Sequence, residues 1–185
     1  LSLAREFTMA GVRPVLRAAL AFVLAHNILY TYIAPFLAAV GMVAQTGLVL
    51  LVFGVTSLLG IWIVGVLIDR YLRALTLACS ALFCLSVLAL GVAGDVLAVV
   101  YAAVAVWGVA FGGAATLFQT ALVRTAEGGT DVAQSMLVTA WNMAIAGGGI
   151  IGGVLLERLG VAAFSPTLLV LLLIAFVVVW SARQH

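Results

Sequence analysis

The sequence contains no lysine, only two cysteines, and only 8% charged residues in a chain of 185. A water-soluble domain carries roughly 25% charged residues and about 45–50% apolar ones. Here 66% are hydrophobic and the mean hydropathy is +1.36. No soluble fold of this size hides so much apolar surface, so the surroundings must be lipid. The composition excludes a disordered tail and a secreted disulfide scaffold. A net charge of +2 is too small for a polyanion partner, so no nucleic acid is expected. Cys79 and Cys84 share one apolar stretch, point in different directions on a helix and lack metal-ligand spacing. They read as small buried apolar residues, and neither a metal nor a cofactor is expected. There is no signal-peptide pattern, because the apolar stretches are too long and too many. Residue 1 is Leu rather than Met, and the chain reads as a piece of something longer.

Charges are costly in the bilayer centre, about 2.5–3.5 kcal/mol each on insertion scales, so they mark the loops. Charge-free runs cover 18–68, 74–94, 96–123, 132–156 and 159–182. A crossing helix needs about 20 residues. Four runs suit one crossing each and the first must hold two, turning at Gly41–Gly47 around Gln45 and Thr46. Six helices follow. Asp95 is placed to cap the fourth, Asp131 with Gln134 resembles a capping box for the fifth, and Ser165-Pro166 opens the sixth. Closed barrels are excluded, since their strands alternate over about 10 residues.

With six spans, Arg5, Arg13, Arg17, Arg70, Arg73, Arg124 and Arg183 fall on one side and only Arg158 on the other. The positive-inside rule then puts both termini in the cytoplasm. Arg73, Glu127 and His185 are expected inside, and Gln45, Asp95 and Arg158 outside. The second span ends Gly65-Val-Leu-Ile-Asp-Arg and the fifth ends Gly153-Val-Leu-Leu-Glu-Arg, close to half a chain later. Each copy closes the middle helix of a three-helix unit, and the two copies end on opposite faces. The expected fold is an all-α membrane protein, a single domain over 1–185. It comprises a cytoplasmic linker end (1–13), a first three-helix unit (14–92) and a second (95–182), arranged as a 3+3 inverted repeat. Such repeats are a transporter device, rocking about a site near the midplane.

Gly65-Val-Leu-Ile-Asp69-Arg70-Tyr-Leu-Arg73 resembles the loop signature G-x-x-x-D-R-x-G-R of the major facilitator superfamily, with Leu72 in place of the loop glycine. Tyr30–Leu37 is similar to the seventh helix of bacterial sugar- and drug-efflux members, and Ala140–Gly153 to their eleventh. The resemblance implies the C-terminal six-helix half of a twelve-helix transporter in a bacterial inner membrane. It implies a missing N-terminal half, fused or separate, and proton-coupled efflux of a sugar-like or drug-like solute, as in an antiporter. Gly65, Asp69, Arg70 and Arg73 would form a gating loop at the cytoplasmic mouth, with Asp69 accepting from Arg73 or from the amides of a neighbouring helix N-terminus.

His26, Asn27, Tyr30 and Thr31 cover about 140° of the first span at about 100° per residue. Polar groups at that depth face a cavity or another helix, and both readings are open. His26 is the only acid-base group inside a span: either a proton site, or a neutral histidine bonded to substrate or a neighbouring helix. Gln119 in the fourth span and Asn142 in the fifth complete the candidate substrate cavity. Asn142 has the alternative role of interhelical hydrogen bonding. Pro35 frees the carbonyl of Thr31 and should bend the outer end of the first span. Gly149 and Gly153 lie on a small-residue stripe of the fifth span, expected to pack or slide against a neighbour. An intramembrane protease is disfavoured, because Ser57 lacks the Gly-x-Ser-Gly frame. A channel-type or non-transporting subunit remains as the other class, although no selectivity filter or charged ring is readable.

Overall fold

The computed structural model describes residues 11–126 and 128–182. Arg5, Glu127, Arg183 and His185, which enter the orientation argument, lie outside the described residues, as does most of the 1–13 linker. Every regular element among the described residues is helical. In chain order they are α1 (Val12–Thr31), α2 (Ile33–Ala38), α3 (Thr46–Ala93), α4 (Leu97–Gly112), α5 (Ala114–Thr125), α6 (Thr130–Arg158) and α7 (Phe164–Ser181). Short 3-10 turns at Val43–Gln45 and Val161–Ala163 lead into α3 and α7. Five helical stretches are long and apolar enough to cross a membrane, and the chain is a multi-pass membrane protein.

Three of these stretches are interrupted, each for a local reason. Between α1 and α2 the backbone leaves the helix at Tyr32 (φ −111°, ψ 24°). That is where Pro35, lacking an N–H, leaves the Thr31 carbonyl without its helical donor. Between α4 and α5 the break is at Gly113 (φ −91°, ψ 5°). The third lies within α3, whose 48 residues include a non-helical Tyr71 (φ −128°, ψ 32°). A straight helix of that length would be about 70 Å long against a hydrocarbon core of about 30 Å. Residues 46–70 and 72–93 each match one bilayer thickness. Gly160, after α6, adopts φ 80° and ψ 179°, a conformation open essentially to glycine alone.

The expected helix starts hold to within a residue or two, but the capping does not. The helix expected to open at Asp95 begins at Leu97, with Val96 as its cap and no side-chain bond. Asp131 lies inside the first turn of α6 behind a Gly129 cap, favourable to the helix dipole without closing a capping box. Gln134 instead reaches the Gln119 carbonyl at 3.4 Å. Ser165 and Pro166 lie inside the first turn of α7, because the preceding 3-10 turn runs straight into the helix.

Hydroxyl groups are satisfied within their own helices, as a lipid setting requires. Thr56 Oγ1 donates to the Val52 carbonyl at 2.9 Å, Ser57 Oγ to Phe53 at 2.7 Å, and Ser80 Oγ to Thr76 at 2.9 Å. The helices then meet through glycine. Gly60 of α3 lies against the Val109 carbonyl of α4, and Gly108 and Gly112 of α4 lie against Thr56 and the Ser57 carbonyl of α3. On the other side α6 meets α1, where a Cβ on Gly148 would lie 2.6 Å from Asn27 Cβ. Gly152 abuts the ring of Tyr32. Of the two glycines expected to pack, Gly153 meets the neighbouring helix and Gly149 does not. A Cβ on Gly149 would meet open space, and one on Gly153 would reach Tyr32 Oη at 2.9 Å. The cause is the Tyr32 ring, which lies across Gly152 so that its hydroxyl can donate to the Gly149 carbonyl. The close approach therefore falls on Gly148 and Gly152.

Gly148→Ala should destabilise the protein by about 1–3 kcal/mol, the usual cost of overpacking. Gly149→Ala should be neutral or stabilising by about 0.5–1 kcal/mol through helix propensity. Unfolding midpoints of the two variants in one detergent check this. Equal losses would mean that the α1–α6 contact does not run through Gly148.

Candidate functional site

Phe22, His26 and Tyr30 recur at four-residue steps along α1, and Trp107 and Phe111 at the same step along α4. Four residues return a helix to nearly the same face, so each set forms a row of rings, and the two rows meet. His26 stacks on Phe111 with ring centroids 3.5 Å apart and an interplanar angle of 6°. Phe53 of α3 adds a third wall, 5.5 Å from His26, 5.7 Å from Tyr30 and 4.3 Å from Trp107. Phe22 and Phe83 close the inner end at 5.5 Å. Trp141 of α6 stands 6.3 Å from Phe111. Ring pairs at these distances stabilise one another by about 0.5–1.5 kcal/mol beyond area burial.

His26 is 8% exposed and Tyr30 45%, so the row runs from the core to an open face. Trp107 Nε1 donates to His26 Nδ1 at 3.2 Å. An indole nitrogen only donates, so Nδ1 must present its lone pair and the ring proton must sit on Nε2. A proton on Nδ1 would set two N–H groups head to head. The imidazole is therefore bonded to a neighbouring helix, one of the alternatives open for it. The ring is packed among Phe111, Phe53 and Tyr30, at centroid distances of 3.5, 5.5 and 5.4 Å, and its Nε2–H is the polar group it has left to donate.

The other candidate residues are dispersed. Asn27 turns to its own helix, its Nδ2 donating to the Val23 carbonyl at 2.9 Å, and packs against Gly148. Gln119 and Asn142 are exposed, and neither shares a hydrogen bond with His26 or Tyr30 among the described residues. At the expected gating loop, Gly65 borders open space and Asp69 and Arg70 are exposed. Arg73 donates to the Trp180 carbonyl at 2.8 Å. Asp69 contributes its backbone oxygen, which accepts from Arg124 at 3.3 Å. Phe53, Trp107 and Phe111 escaped the sequence reading, where they passed as apolar filler. The four-residue spacing shared by the aromatics of α1 and α4 was the available signal.

These features define a multi-pass helical membrane protein with a packed aromatic cluster around a histidine, open to the surface at Tyr30, and comparison with known proteins gives it relatives. Over 144 residues the chain is 31% identical to a probable sugar efflux transporter of Mannheimia succiniciproducens, covering 75% of this chain and 35% of that protein. It is 26% identical over 137 residues to a probable sugar efflux transporter of Helicobacter pylori, covering 73% of this chain and 35% of the other. Over 177 residues it is 29% identical to the transcription regulatory protein OpdE of Pseudomonas aeruginosa, covering 94% of this chain and 44% of that one. No protein-family model and no solved structure matches it. The chain is a relative of bacterial sugar efflux transporters, as its motifs implied, and the match spans well under half the length of these relatives.

The tautomer of His26 is directly measurable. The 15N spectrum at neutral pH should show Nδ1 unprotonated and Nε2 protonated. Trp107→Phe, which removes the donor and keeps a ring, should give a mixture of tautomers. A wild-type spectrum with the proton on Nδ1 would contradict the Trp107 bond.

Proposed function

We propose that the chain forms six crossings as a 3+3 inverted repeat. In this reading it works as one half of an alternating-access transporter that exports a sugar-like or drug-like solute in exchange for protons. The observation that carries the reading is a correspondence between its two three-helix units. The first helix of each unit is broken, at Tyr32 and at Gly113. Six residues after Gly65 and Gly153 both helical runs are interrupted: Tyr71 leaves helical geometry (φ −128°, ψ 32°), and Leu159 is the C-cap at which α6 ends. The first helix of each unit packs on the middle helix of the other through glycines, α4 on α3 and α1 on α6. Discontinuous helices in corresponding positions point to a substrate site between repeats. The sugar-efflux names of two relatives favour a solute with hydroxyl groups and a flat apolar face, which the recess around His26 suits. The membrane-length helices favour transport over the gene regulation in the name of the third.

In the proposed arrangement the exposed Tyr30, Gln119 and Asn142 face a second six-helix unit, fused or separate. Its inner-membrane orientation has both termini cytoplasmic. Accessibility mapping at single cysteines, in a background with Cys79 and Cys84 replaced by alanine, should place positions 45, 95 and 158 outside and position 73 inside. Positions 73 and 158 on the same face would sink both the six-crossing count and the repeat. The functional test is uptake of sugars and dyes into liposomes under an imposed pH gradient. The 185-residue chain alone should show no saturable transport, because one unit has nothing to rock against. Saturable transport by the monomeric chain would refute the half-transporter reading.

A further inference from the structure

A second site lies away from the aromatic recess. A cavity of about 450 Å³ opens where the start of α1, residues 72–76 of α3, the end of α5 and the end of α7 converge, with Arg73 and Arg124 in its wall. We propose that this cavity binds a phosphate ester anion. The proposal does not rest on the transport reading.

Among the described residues both guanidinium groups bond to backbone carbonyls. Arg73 Nη2 donates to Trp180 at 2.8 Å and its guanidinium lies 5.4 Å from the centre of the Trp180 ring. Arg124 Nη2 donates to Asp69 at 3.3 Å. A guanidinium has five N–H donors, and these bonds use one on each. Arg73 Nε is buried with no hydrogen-bond partner, a costly state for a charged group in a poorly hydrated site. The wall's hydroxyls supply no donor, since Thr76 and Thr125 spend their protons on the carbonyls of Leu72 and Ala121. The cavity is thus lined by two guanidinium groups, each with Nη donors beyond the one its carbonyl takes, the kind of donor that phosphate oxygens match. Its remaining surface, including Pro14, Val15, Phe118 and Val179, is apolar and suits a glyceryl or acyl stem. Basic pockets between membrane helices take anionic headgroups in this way.

The far end of the bundle provides an internal contrast. A cavity of about 550 Å³ lies there between the end of α2, residues 88–94 of α3 and the start of α7. Its charged residue is Asp95, with no arginine. The two cavities draw on opposite ends of the same helices, and only one is equipped for an anion.

The test uses delipidated protein in a neutral detergent, titrated with phosphatidylglycerol, phosphatidylcholine and soluble glycerol phosphate, with binding read by native mass spectrometry. One phosphatidylglycerol should bind, and phosphatidylcholine about tenfold more weakly or not at all. Arg73→Gln and Arg124→Gln should each weaken binding about tenfold, the scale of one charge-assisted hydrogen bond. Arg17→Gln, exposed and outside the cavity wall, should change it less than about twofold, within the range of ordinary surface substitutions. Should Arg73→Gln fail to fold, Ala121→Leu fills the cavity with both arginines intact and should also weaken binding. Glycerol phosphate binding with the same variant dependence assigns the site to a soluble phosphate ester. Binding of the lipid alone assigns it to a headgroup. Absence of any phosphate binding, or binding indifferent to both Arg124→Gln and Ala121→Leu, overturns the proposal.

Discussion

Lipid supplies no hydrogen-bond partner, and that constraint shapes the whole molecule. Each hydroxyl of the crossing helices has to be answered from within, and Thr56, Ser57, Thr76, Ser80 and Ser86 all return to a carbonyl one turn back. With polar groups retired into their own helices, association falls to van der Waals packing, which is strongest where backbones touch. Gly60, Gly108, Gly112, Gly148 and Gly152 stand at the touching points. The polar side chains that remain unretired are then conspicuous. His26 has no carbonyl of its own helix to turn to, and the Trp107 indole answers it across the bundle.

That cross-helix bond organises the recess. Trp107 is fully buried and wedged against Phe53 and Phe83, so its N–H is aimed by packing rather than by a flexible chain. The imidazole it anchors is stacked on Phe111 and cannot rotate without losing both partners. The aromatic residues thus hold a polar donor in a fixed direction inside an apolar wall, the pre-organisation a small-solute site needs. Tyr32 does similar work at the next turn. Freed from helical geometry three residues before Pro35, it spans to the Gly149 carbonyl and seats α1 on α6.

The helices were legible in the sequence because charge is so sparse that each surviving Asp, Glu or Arg marks an end. The proposed duplication rests on Gly65-Val-Leu-Ile-Asp-Arg and Gly153-Val-Leu-Leu-Glu-Arg, which are long enough to notice in the sequence. Capping was misread at Asp95, Asp131 and Ser165, since an extended Val96, Gly129 and a 3-10 turn open these helices without side-chain help. The packing glycines were only partly legible, because the five glycines Gly147–Gly149, Gly152 and Gly153 leave the helix rotation undetermined until Tyr32 chooses a side. The recess was half legible. His26 and Tyr30 stood out as polar residues in an apolar span. Phe53, Trp107 and Phe111 did not, since an aromatic in such a span is unremarkable until its partners across the bundle are known.

Repetition of a scaffold does not require repetition of its chemistry. Gly65 and Gly153 open two similar stretches of sequence, one running into the non-helical Tyr71 and the other into Leu159, where α6 ends. Their surroundings then diverge. After Tyr71 the chain continues at once into a second helical stretch, and Arg73 swings under Trp180. After Leu159 the chain needs Gly160 and a 3-10 turn before α7 begins, and the position equivalent to Arg73 is Val161. Arg124 adds its charge to the first end, whereas Asp95 borders the cavity at the other. The bundle therefore presents a cavity with two arginines at one end and one bordered by Asp95 at the other. A membrane, whose two faces differ in potential and in lipid charge, distinguishes those ends even where the backbone does not.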